Sequence, residues 1–463
     1  MLVMKFGGTS VGSAQRFAEV SRIIEQVDDE ECVVVVSAMS GTTNLLINGA
    51  RAASEGQVQR YQEARTELLT KHLDAIDDLL GNTPERDPLV EHVQKRLSEY
   101  ERLCDSISTL GELTVRGHDA VASIGEELSS RILAALLRAR GHRAQAVSAT
   151  TLVRTDDHYG AATPDMDETT KLISQYLRPL VEKGILPIVT GYIGATSRGV
   201  TTTLGRGGSD YSAAILGVCL DADEVWIWTD VDGILTADPK LVPDAHTLPE
   251  LSYLEAEELA YFGADVLHPR TVAPLAARGI RLRILNSFKP DHPGTLIVSS
   301  PDAQRRAMPA IISTEGLSLI EVAGNDSGWS LQMASRALRC LADAGIEVFM
   351  FSQSFSERNL NLVLRCQDQA HSIHLLKGDF EADLRLGKLL HIGAQEQVAA
   401  VSVVGMPGIH ATTIAPQAFA ALGKLGLRVI SVAQTTSAYS VSFIISEDDV
   451  GRAVPFIHHE LGL

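Results

Sequence analysis

The sequence has 463 residues, of which 45% are hydrophobic and 21% are charged. That length exceeds one ordinary hydrophobic core, so we expect about two or three domains. The composition is that of a folded globular protein and not of a disordered chain. The formal net charge of −18 at pH 7 argues against a surface that binds nucleic acid or anionic membrane broadly. An acidic protein that binds phosphates must therefore gather its positive groups and backbone N–H groups locally.

The N-terminus runs directly into a strand-like segment without the layout of a signal peptide. No apolar run approaches the roughly 20 residues that a membrane span needs. The five cysteines are odd in number, far apart and without a CxxC pair. Neither a disulfide framework nor a zinc site is therefore expected, and we predict reduced cysteines in a cytoplasmic protein.

Short apolar strands and amphipathic helices alternate through the first part of the chain, up to about residue 300. Strand-like runs occur at 2–6, 32–36, 186–189 and 224–228, and helical spacing of apolar residues occurs at 17–27, 172–181 and 209–220, with a mostly helical pattern over 57–140. The unbroken apolar run at 32–36 is typical of a strand that is covered on both faces. The pattern predicts an α/β fold whose mainly parallel, open sheet has helices on both sides.

The pattern changes beyond about residue 300, where an internal repeat appears. Residues 344–354 line up with 425–435, and residues 359–363 line up with 440–444 at the same offset. Each copy has a helix, a glycine-bearing turn, a strand, a polar turn and an alternating strand, which is typical of a small α+β domain. We therefore predict one domain over 1–298 and a tandem region over 299–463, with copies at about 312–390 and 396–463 that can interlock.

Polar loops follow four of the predicted strands. They begin at Gly7, Ser37, Thr190 and Thr229. In an open α/β sheet, ligands bind in the crevice at the carboxyl ends of the strands. We therefore expect the four loops to converge on one crevice, and this convergence carries more weight than any single motif.

Two of the loops have the chemistry of anion binding. Lys5 ends a strand and precedes Gly7 and Gly8, whose N–H groups can form a nest for phosphate. A solvated lysine beside an ordinary turn is the alternative interpretation. Arg206 lies among glycines before the helix near Ser209, which suits bidentate capture of a carboxylate or phosphate. The alternative there is a loop arginine, with Ser209 or its neighbour capping the helix.

Six motifs taken together resemble one family. They are KFGGTS at 5–10, SAMSGTTNLL at 37–46, SIGE at 123–126, TTLGRGGSD at 202–210, WTDVDG at 228–233 and VLHPR at 266–270. In this order and approximate spacing they resemble the aspartate kinases of the amino-acid-kinase superfamily. The C-terminal repeat is similar to that family's paired ACT domains, which bind amino acids. Because no second nucleotide-binding unit follows before the end at Leu463, we expect a monofunctional member, not fused to homoserine dehydrogenase.

The resemblance implies phosphorylation of the L-aspartate side-chain carboxylate by ATP with Mg²⁺. The product would be 4-phospho-L-aspartate, at the head of a pathway to lysine, threonine and methionine. The catalytic residues would be Lys5, Arg206 and Asp210. The aspartate site would comprise Thr43, Glu126, Tyr192, Arg206, Ser209 and Asp210. The ATP site would comprise Lys5, Gly7, Gly8, Ser10, Ser37, Thr229, Asp230, Leu235 and Lys240.

The family pattern also implies separate roles for these residues. Lys5 would sit on the transferring phosphoryl group, Arg206 would bind the α-carboxylate, and Glu126 would pair with the ammonium group. By itself, Glu126 would only complement a helix dipole. His268 is interpreted as a structural residue at a helix start. No protein ligand for the metal is predicted, because phosphates and water often hold such ions.

Two residues depart from the family pattern on the nucleotide side. Asp265 stands where a lysine is common, and Leu235 stands where an aromatic residue is common. The residues expected to bind phosphate and aspartate are unchanged. The two departures are therefore expected to alter nucleotide affinity and not the type of reaction.

The ACT resemblance implies feedback inhibition by an end-product amino acid, with threonine the first expectation and lysine the second. Gln353 and Gln434 occupy matching places in the two copies, in the polar turn expected between two strands (residues 352–354 in the first copy). Met406 and Gly408 belong to a Pro-Gly loop that only the second copy keeps. These four residues are the predicted effector contacts. We also expect a homo-oligomer, either a dimer formed through the ACT domains or a larger assembly, and neither nucleic acid nor membrane as a partner.

Two alternatives stay open at this point. The chain could be another kinase of the same superfamily, acting on glutamate, N-acetylglutamate or carbamate. The Glu126 and Arg206 motifs, combined with the tandem tail, count against that interpretation. The chain could also be a catalytically silent amino-acid sensor, which the presence of Lys5, Arg206 and Asp210 disfavours.

Overall fold

The structure is a computed structural model that describes residues 1–463 except 28–30, 262–266, 303–307, 326–329, 355, 357, 406–410 and 435–439. It divides into two compact units. The first comprises Met1–Ile234, Thr247–Glu257 and Asp265–Asp302. The second comprises Leu235–His246, Glu258–Ala264 and Ala303–Leu463. The domain boundary at residue 298 stays a prediction. Within the described residues, no helix combines the length and the apolar character that crossing a bilayer requires.

The chain up to residue 302 contains alternating strands and helices. The strands are β1 (Leu2–Phe6), β2 (Cys32–Val36), β3 (Ala144–Val147), β4 (Arg154–Thr155), β5 (Leu186–Thr190), β6 (Ile193–Thr196), β7 (Thr201–Thr203), β8 (Glu224–Thr229), β9 (Glu250–Ser252), β10 (Arg281–Asn286) and β11 (Thr295–Val298). The helices are α1 (Ala14–Glu25), α2 (Thr42–Ser54), α3 (Val58–Leu80), α4 (Arg86–Leu110), α5 (Val115–Ala122), α6 (Ile124–Ala139), α7 (Met166–Leu172), α8 (Arg178–Glu182), α9 (Gly208–Leu220), α10 (Tyr253–Tyr261) and α11 (Pro269–Arg278).

The main sheet of the first unit has the strand order β3-β5-β2-β1-β8-β10-β11-β9. Its pairs are parallel except β10 with β11, which is antiparallel. Alternate residues of β1 and β2 pack with α1 and α6 in one core, and α9 contacts β1, β2 and β8. This arrangement confirms the predicted parallel sheet with helices on both sides. A smaller sheet has the order β4-β6-β7.

The second unit is built on an antiparallel sheet. Its strands are β12 (Ala310–Gly324), β13 (Met350–Ser354), β14 (Asn359–Arg365), β15 (Leu389–Val404), β16 (Ser431–Gln434) and β17 (Ser440–Ser446), in the spatial order β13-β14-β12-β15-β17-β16. Its helices are α12 (Leu331–Asp343), α13 (Cys366–Asp379), α14 (Glu381–Arg385), α15 (Ala411–Lys424) and α16 (Val450–Glu460). The long central strands β12 and β15 pair along most of their length, so both halves of the repeat share them.

One part of the repeat differs from its sequence-based prediction. The polar residues Ser352 and Gln353 were expected in a turn, but both lie within β13, where Gln353 pairs with Leu360. The edge strands β13 and β16 also approach each other, with 3.0 Å between the hydroxyls of Ser352 and Ser431. Tertiary pairing therefore places this polar segment in a strand, against the turn preference of its residues.

A segment from the middle of the sequence is part of the second unit. Ala237 and Val242 are buried in the same core as Phe443, and the Thr236 hydroxyl lies 3.0 Å from Nε2 of His458. Sequence order does not predict this placement, because the segment 235–246 follows a strand of the first unit. The predicted ATP-site residues Leu235 and Lys240 therefore belong to the second unit.

Candidate active site

A cavity of about 680 Å³ lies in the first unit, where the loops after β1, β2, β5 and β8 meet. It is lined by Lys5, Gly7, Gly8, Thr9, Ser37, Ala38, Met39, Ser40, Gly41, Thr43, Glu126, Gly160, Tyr192, Gly205, Arg206, Gly207, Gly208, Ser209, Asp210, Ile227, Thr229 and Asp230. The four polar loops predicted from the sequence therefore meet in one site. They do so because parallel neighbouring strands end at the same edge of the sheet.

The cavity brings together all six predicted aspartate-site residues and six of the predicted ATP-site residues. The ATP-site residues that line it are Lys5, Gly7, Gly8, Ser37, Thr229 and Asp230. Leu235 and Lys240 lie in the second unit, and their role stays a prediction. Among the predicted effector contacts, Met406 and Gly408 lie outside the described residues, as does Asp265.

Lys5 and Asp210 form an ion pair inside the cavity. The Lys5 Nζ lies 2.5 Å from Oδ1 of Asp210, and their side chains are 9% and 16% exposed. Lys5 comes from the central strand β1 and Asp210 from the first turn of α9, so two rigid elements fix their separation. A Cβ on Gly7 would lie 3.4 Å from the Lys5 Nζ, so a glycine leaves room beside the ammonium group.

Two of the predicted phosphate-binding groups are used within the protein. The Gly7 N–H donates to the Trp228 carbonyl at 3.1 Å. The Ser10 side chain is fully buried, does not line the cavity, and lies 2.7 Å from the Ser287 hydroxyl. Both groups therefore have partners within the protein in this arrangement, and their contact with phosphate stays a prediction. They join β1 to β8 and to the end of β10, because buried polar groups must find partners.

The loop that carries Arg206 has a backbone that depends on glycine. Gly205 and Gly207 have φ of +79° and +68°, a region where side chains are strained. Gly207 is the N-cap of α9, so neither Ser209 nor Asp210 caps this helix. The exposed Arg206 side chain therefore stands beside a helix N-terminus, where both the guanidinium and the helix dipole favour an anion.

Glu126 places an acidic group in the same cavity. It is 3% exposed, and its Oε1 accepts the Ala38 N–H at 3.3 Å. Its Oε2 is buried and has no hydrogen-bond partner among the described residues. Burial raises the pKa of the Glu126 carboxyl to about 8. A buried acceptor oxygen facing a cavity is completed by a cation or a donor from a ligand.

This raised pKa predicts how substrate use depends on pH. We expect kcat/KM for an ammonium-bearing substrate to rise with pH up to about 8 and then to level off with respect to this group. The reason is that only ionised Glu126 pairs with an ammonium group, and kcat/KM reports the ionisation of the free enzyme. Initial rates measured from about pH 6 to 9 would check this. A Glu126→Gln variant whose kcat/KM shows the same rise with pH would contradict this prediction.

The same shift predicts an effect on the stability of the ligand-free protein. Because the folded-state pKa of Glu126 lies near 8 and above its ordinary 4.5, folding retains a proton that the unfolded chain releases. This contribution to stability is present at low pH and is lost as pH rises between those two values. Glu126→Gln is therefore expected to raise the Tm at pH 9 and to change it less at pH 5, as measured by thermal unfolding without substrate.

Tyr192 has a strained backbone at the edge of the cavity. Its φ is +70°, which is uncommon for a residue other than glycine. The Ser212 hydroxyl accepts its N–H at 2.9 Å, and its carbonyl accepts the Leu204 N–H at 2.9 Å. Its ring packs against Gly208, where an added Cβ would lie 2.7 Å from the ring. These contacts hold the strained residue against the loop of Arg206.

His268 confirms its interpretation as a structural residue at a helix start. It is the N-cap of α11, and its Nδ1 accepts the Arg270 N–H at 3.2 Å. A Cβ on Gly207 would lie 2.8 Å from the His268 Cβ. Its neighbour Arg270 donates from Nη1 to the Leu204 carbonyl at 2.9 Å. His268 and Arg270 therefore support the Arg206 loop from outside the cavity.

Sequence reasoning missed Gly160, which comes from the loop between β4 and α7 and has a φ of +85°. Its sequence signal is weak, because a lone glycine in a loop usually marks only a turn. Ser40 also lines the cavity, although it was not among the predicted site residues. Its carbonyl accepts a hydrogen bond from the Lys71 ammonium group on α3. Long-range contacts of this kind cannot be read from spacing along the chain.

No group of three or more His, Cys, Asp or Glu residues in the described part of the chain could hold a metal ion. The cavity instead offers the Lys5 ammonium group, the Arg206 guanidinium and the N-terminus of α9. This donor set suits a polyanion such as a nucleoside triphosphate, whose own phosphates and water can hold Mg²⁺.

Two family models match the chain. The model of the amino acid kinase family matches residues 1–286, and the model of an ACT domain matches residues 401–461. The first match covers every strand of the main sheet except β11 and every residue that lines the cavity. Fold and site thus define a class, an α/β kinase fold joined to an ACT-type regulatory fold.

Individual relatives narrow this class. The bifunctional aspartokinase/homoserine dehydrogenase of Haemophilus influenzae is 30% identical over 100% of this chain and 56% of its own length. The chain therefore spans just over half the length of that relative. Aspartokinase 1, chloroplastic, of Arabidopsis thaliana is 32% identical over 98% of this chain and 79% of its own length.

The fold is also that of a solved relative. The crystal structure of E. coli aspartokinase III in complex with aspartate and ADP (R-state) has a TM-score of 0.85 and 27% identity over 100% of both chains. The structure of that enzyme with lysine and aspartate (T-state) has a TM-score of 0.78 and 28% identity, covering 100% of this chain and 99% of the other. The chain belongs to the amino acid kinase family and, within it, to the aspartokinases.

Proposed function

We propose that this chain transfers the γ-phosphoryl group of ATP to the side-chain carboxylate of L-aspartate. The observation that carries the proposal is one cavity that holds the Lys5–Asp210 ion pair, the Arg206 loop and the unpartnered Oε2 of Glu126. A relative supports it, since E. coli aspartokinase III was crystallised with aspartate and ADP. The product would be 4-phospho-L-aspartate, which opens the route to lysine, threonine and methionine.

The polar groups of the cavity match the charges of aspartate. Arg206 is exposed to the cavity and offers a planar fork to the α-carboxylate. Glu126 offers its unpartnered Oε2 to the ammonium group. With both groups on the α-carbon held, the side-chain carboxylate is left to face Lys5. N-acetylglutamate lacks a free ammonium group, so the pair favours an α-amino dicarboxylate over such acids.

Phosphoryl transfer then requires positioning and charge stabilisation more than covalent help from the protein. A side-chain carboxylate oxygen of aspartate forms a bond to the γ-phosphorus while the bond to the leaving ADP oxygen breaks. Lys5 neutralises charge on the transferring group, and Asp210 holds the Lys5 ammonium in place at 2.5 Å. Thr229 and Asp230, at the end of β8 and just after it, line the cavity and would face the nucleotide. Mg²⁺ bound to the ATP phosphates supplies further charge neutralisation.

Hydroxylamine trapping tests the proposal. Purified protein, ATP, Mg²⁺ and hydroxylamine should yield aspartyl hydroxamate with L-aspartate and little product with glutamate, N-acetylglutamate or carbamate. A hydroxamate or phosphate product with another of these acids would favour a different kinase of the family. Absence of any product with all of them would indicate a sensor without catalysis and would contradict the proposal.

Regulation and assembly belong to the same proposal. The two-unit structure includes an ACT-type region, and the E. coli relative was crystallised in a T-state with lysine. We therefore propose that an end-product amino acid, threonine or lysine, binds the region 299–463, and that the chain forms a homo-oligomer. A cytoplasmic location is proposed with it, since no disulfide joins the five cysteines, all of which the structure describes.

The effector prediction can be made more specific. Gln353 has a buried side-chain Nε2 without a hydrogen-bond partner among the described residues, and Gln434 lies at the end of β16. A glutamine amide can both donate to and accept from an amino acid. Gln353→Ala and Gln434→Ala are therefore each expected to raise the inhibitory concentration of the effector by about tenfold or more, with uninhibited kcat unchanged.

The measurement is kinase activity against threonine and lysine, singly and together. Gln417→Ala is the matched control, because Gln417 is an exposed glutamine on the surface of α15. It should leave inhibition unchanged. If the unmodified enzyme keeps full activity with both amino acids at millimolar concentration, the regulatory part of the proposal fails.

A further inference from the structure

Asp119 is a buried carboxylate to which the proposed reaction assigns no role. It lies on α5, and its side chain is 0% exposed. A carboxylate is taken out of water at a high free-energy cost unless hydrogen bonds replace its hydration. Its presence on the inner side of a short helix therefore requires specific donors.

Three hydrogen bonds supply these donors. Oδ2 of Asp119 accepts the backbone N–H groups of Gly160 and Thr203, both at 2.9 Å. Oδ1 accepts the Thr203 hydroxyl at 2.8 Å. Bonds to an ionised acceptor are stronger than neutral ones. One carboxylate thus ties the loop at Gly160 to the end of strand β7.

Both bonded segments lead to the loop that carries Arg206. Gly160 lines the cavity, and an added Cβ on Gly205 would lie only 3.2 Å from the Gly160 carbonyl. Thr203 is the last residue of β7 and precedes Gly205 in the same loop. Asp119 therefore holds the start of this loop and also the segment on which the loop rests.

The direction of the Arg206 side chain depends on this backbone. The side chain is exposed, and the positive φ of Gly205 and Gly207 on either side sets the direction in which its Cα–Cβ bond leaves the backbone. Its loop is held on the other side by the bond from Arg270 to the Leu204 carbonyl. The Leu204 N–H also donates to the Tyr192 carbonyl at 2.9 Å. Removing Asp119 would release one of these anchors and leave the N–H groups of Gly160 and Thr203 unpaired.

We propose that Asp119 is a positioning residue that orients Arg206 toward the substrate α-carboxylate and so determines preference for substrates that carry this group. The inference rests on the proposed function. It adds a residue that does not line the cavity and does not touch the substrate. Its effect is transmitted through the backbone of the loop that follows β7.

The test compares two substrates in the full-length enzyme. L-Aspartate has the α-carboxylate, whereas L-aspartate α-amide replaces it with a neutral group. Asp119→Ala should lower kcat/KM for aspartate by about 10²-fold, since small displacements in a site cost that much, and should lower it far less for the α-amide. The preference ratio, which is kcat/KM for aspartate divided by kcat/KM for the α-amide, should then approach the ratio of the Arg206→Ala variant. A merely structural role would lower kcat/KM for both substrates by the same factor, and that result would overturn the proposal.

Three further variants complete the test. Asp119→Asn should restore most of the ratio, because its oxygen can accept the two N–H groups and its amide can donate to Thr203. Thr203→Val removes the hydroxyl bond to Asp119 and the side-chain hydrogen bond with Tyr192 but keeps the bond from the Thr203 N–H, so a smaller shift in the same direction is expected even if Asp119→Ala fails to fold. Glu255→Gln, at another buried carboxylate of the first unit, should leave the ratio unchanged.

The two proposals fail in different ways. The proposed function is tested by the unmodified enzyme alone, through its product with aspartate. The role of Asp119 is tested by the ratio between substrates, given that product. An unchanged ratio in both Asp119→Ala and Thr203→Val, in an enzyme that does phosphorylate aspartate, would reject only the positioning role.

Discussion

Replacement of Lys5 by alanine is expected to lower kcat by about 10²–10³-fold, which corresponds to about 3–4 kcal/mol of transition-state stabilisation. The physical reason is geometric. Lys5 stands at the end of a central strand, paired with Asp210 at 2.5 Å and 9% exposed, so its charge needs little reorganisation when charge develops on the transferring group. The aspartate KM should change by less than about threefold, because a group that acts in the transition state contributes little to ground-state binding.

The measurement is steady-state kinetics of hydroxamate formation at saturating ATP. Lys5→Met is a useful second variant, since it keeps the volume of the buried stem and loses only the charge. Lys171→Ala is the matched control, because Lys171 is an exposed lysine whose ion pair with Glu168 is on the surface. It should leave kcat unchanged. A Lys5→Met enzyme with near-normal turnover would remove Lys5 from the mechanism.

The second large effect is expected at the substrate carboxylate. Arg206→Lys keeps the positive charge but loses the planar fork, so kcat/KM for aspartate should fall by about 10–10²-fold. Glu126→Gln should produce a loss of similar size by removing the partner of the ammonium group. Because the two residues bind neighbouring groups on the same carbon of one substrate, their effects on the transition-state free energy should be coupled and not simply additive.

A kinetic comparison of the two single variants and the double variant checks this assignment. Arg198→Lys is the control, since Arg198 is an exposed arginine that does not line the cavity, and it should behave like the unmodified enzyme. ATP KM should stay nearly constant throughout. Unchanged kcat/KM for aspartate in both Arg206→Lys and Glu126→Gln would show that other groups recognise the substrate.

The strands of the first unit were predictable because their cause is local. An unbroken apolar run such as 32–36 matches β2, and the run at 2–6 matches β1. Both strands are buried on two faces, so every position is apolar or nearly so and the pattern is unambiguous. The convergence of the loops followed from the parallel order of those strands and required no further information.

The use of individual polar groups was not predictable to the same degree. Ser10 and Gly7 stand in the predicted phosphate loop, yet the Ser10 hydroxyl shares a hydrogen bond with the Ser287 hydroxyl and the Gly7 N–H donates to the Trp228 carbonyl. Gln353 stands in a polar triplet typical of a turn, yet it lies in a strand. In each case the partner comes from a distant part of the chain, and local residue preferences carry no information about it.

The sequence by itself determined the α/β fold, the duplicated tail and the set of loops that form the cavity, because hydrophobic periodicity and turn chemistry are local properties. Only the tertiary structure decided which groups in those loops face the cavity. In the folded chain Glu126 is buried and its pKa is raised to about 8. The Asp119 carboxylate accepts hydrogen bonds from Gly160, in a loop, and from Thr203, at the end of β7. The tertiary structure also placed residues 235–246 in the core of the second unit. Burial, desolvation and long-range hydrogen bonds depend on which segments meet in space, and spacing along the chain does not record that.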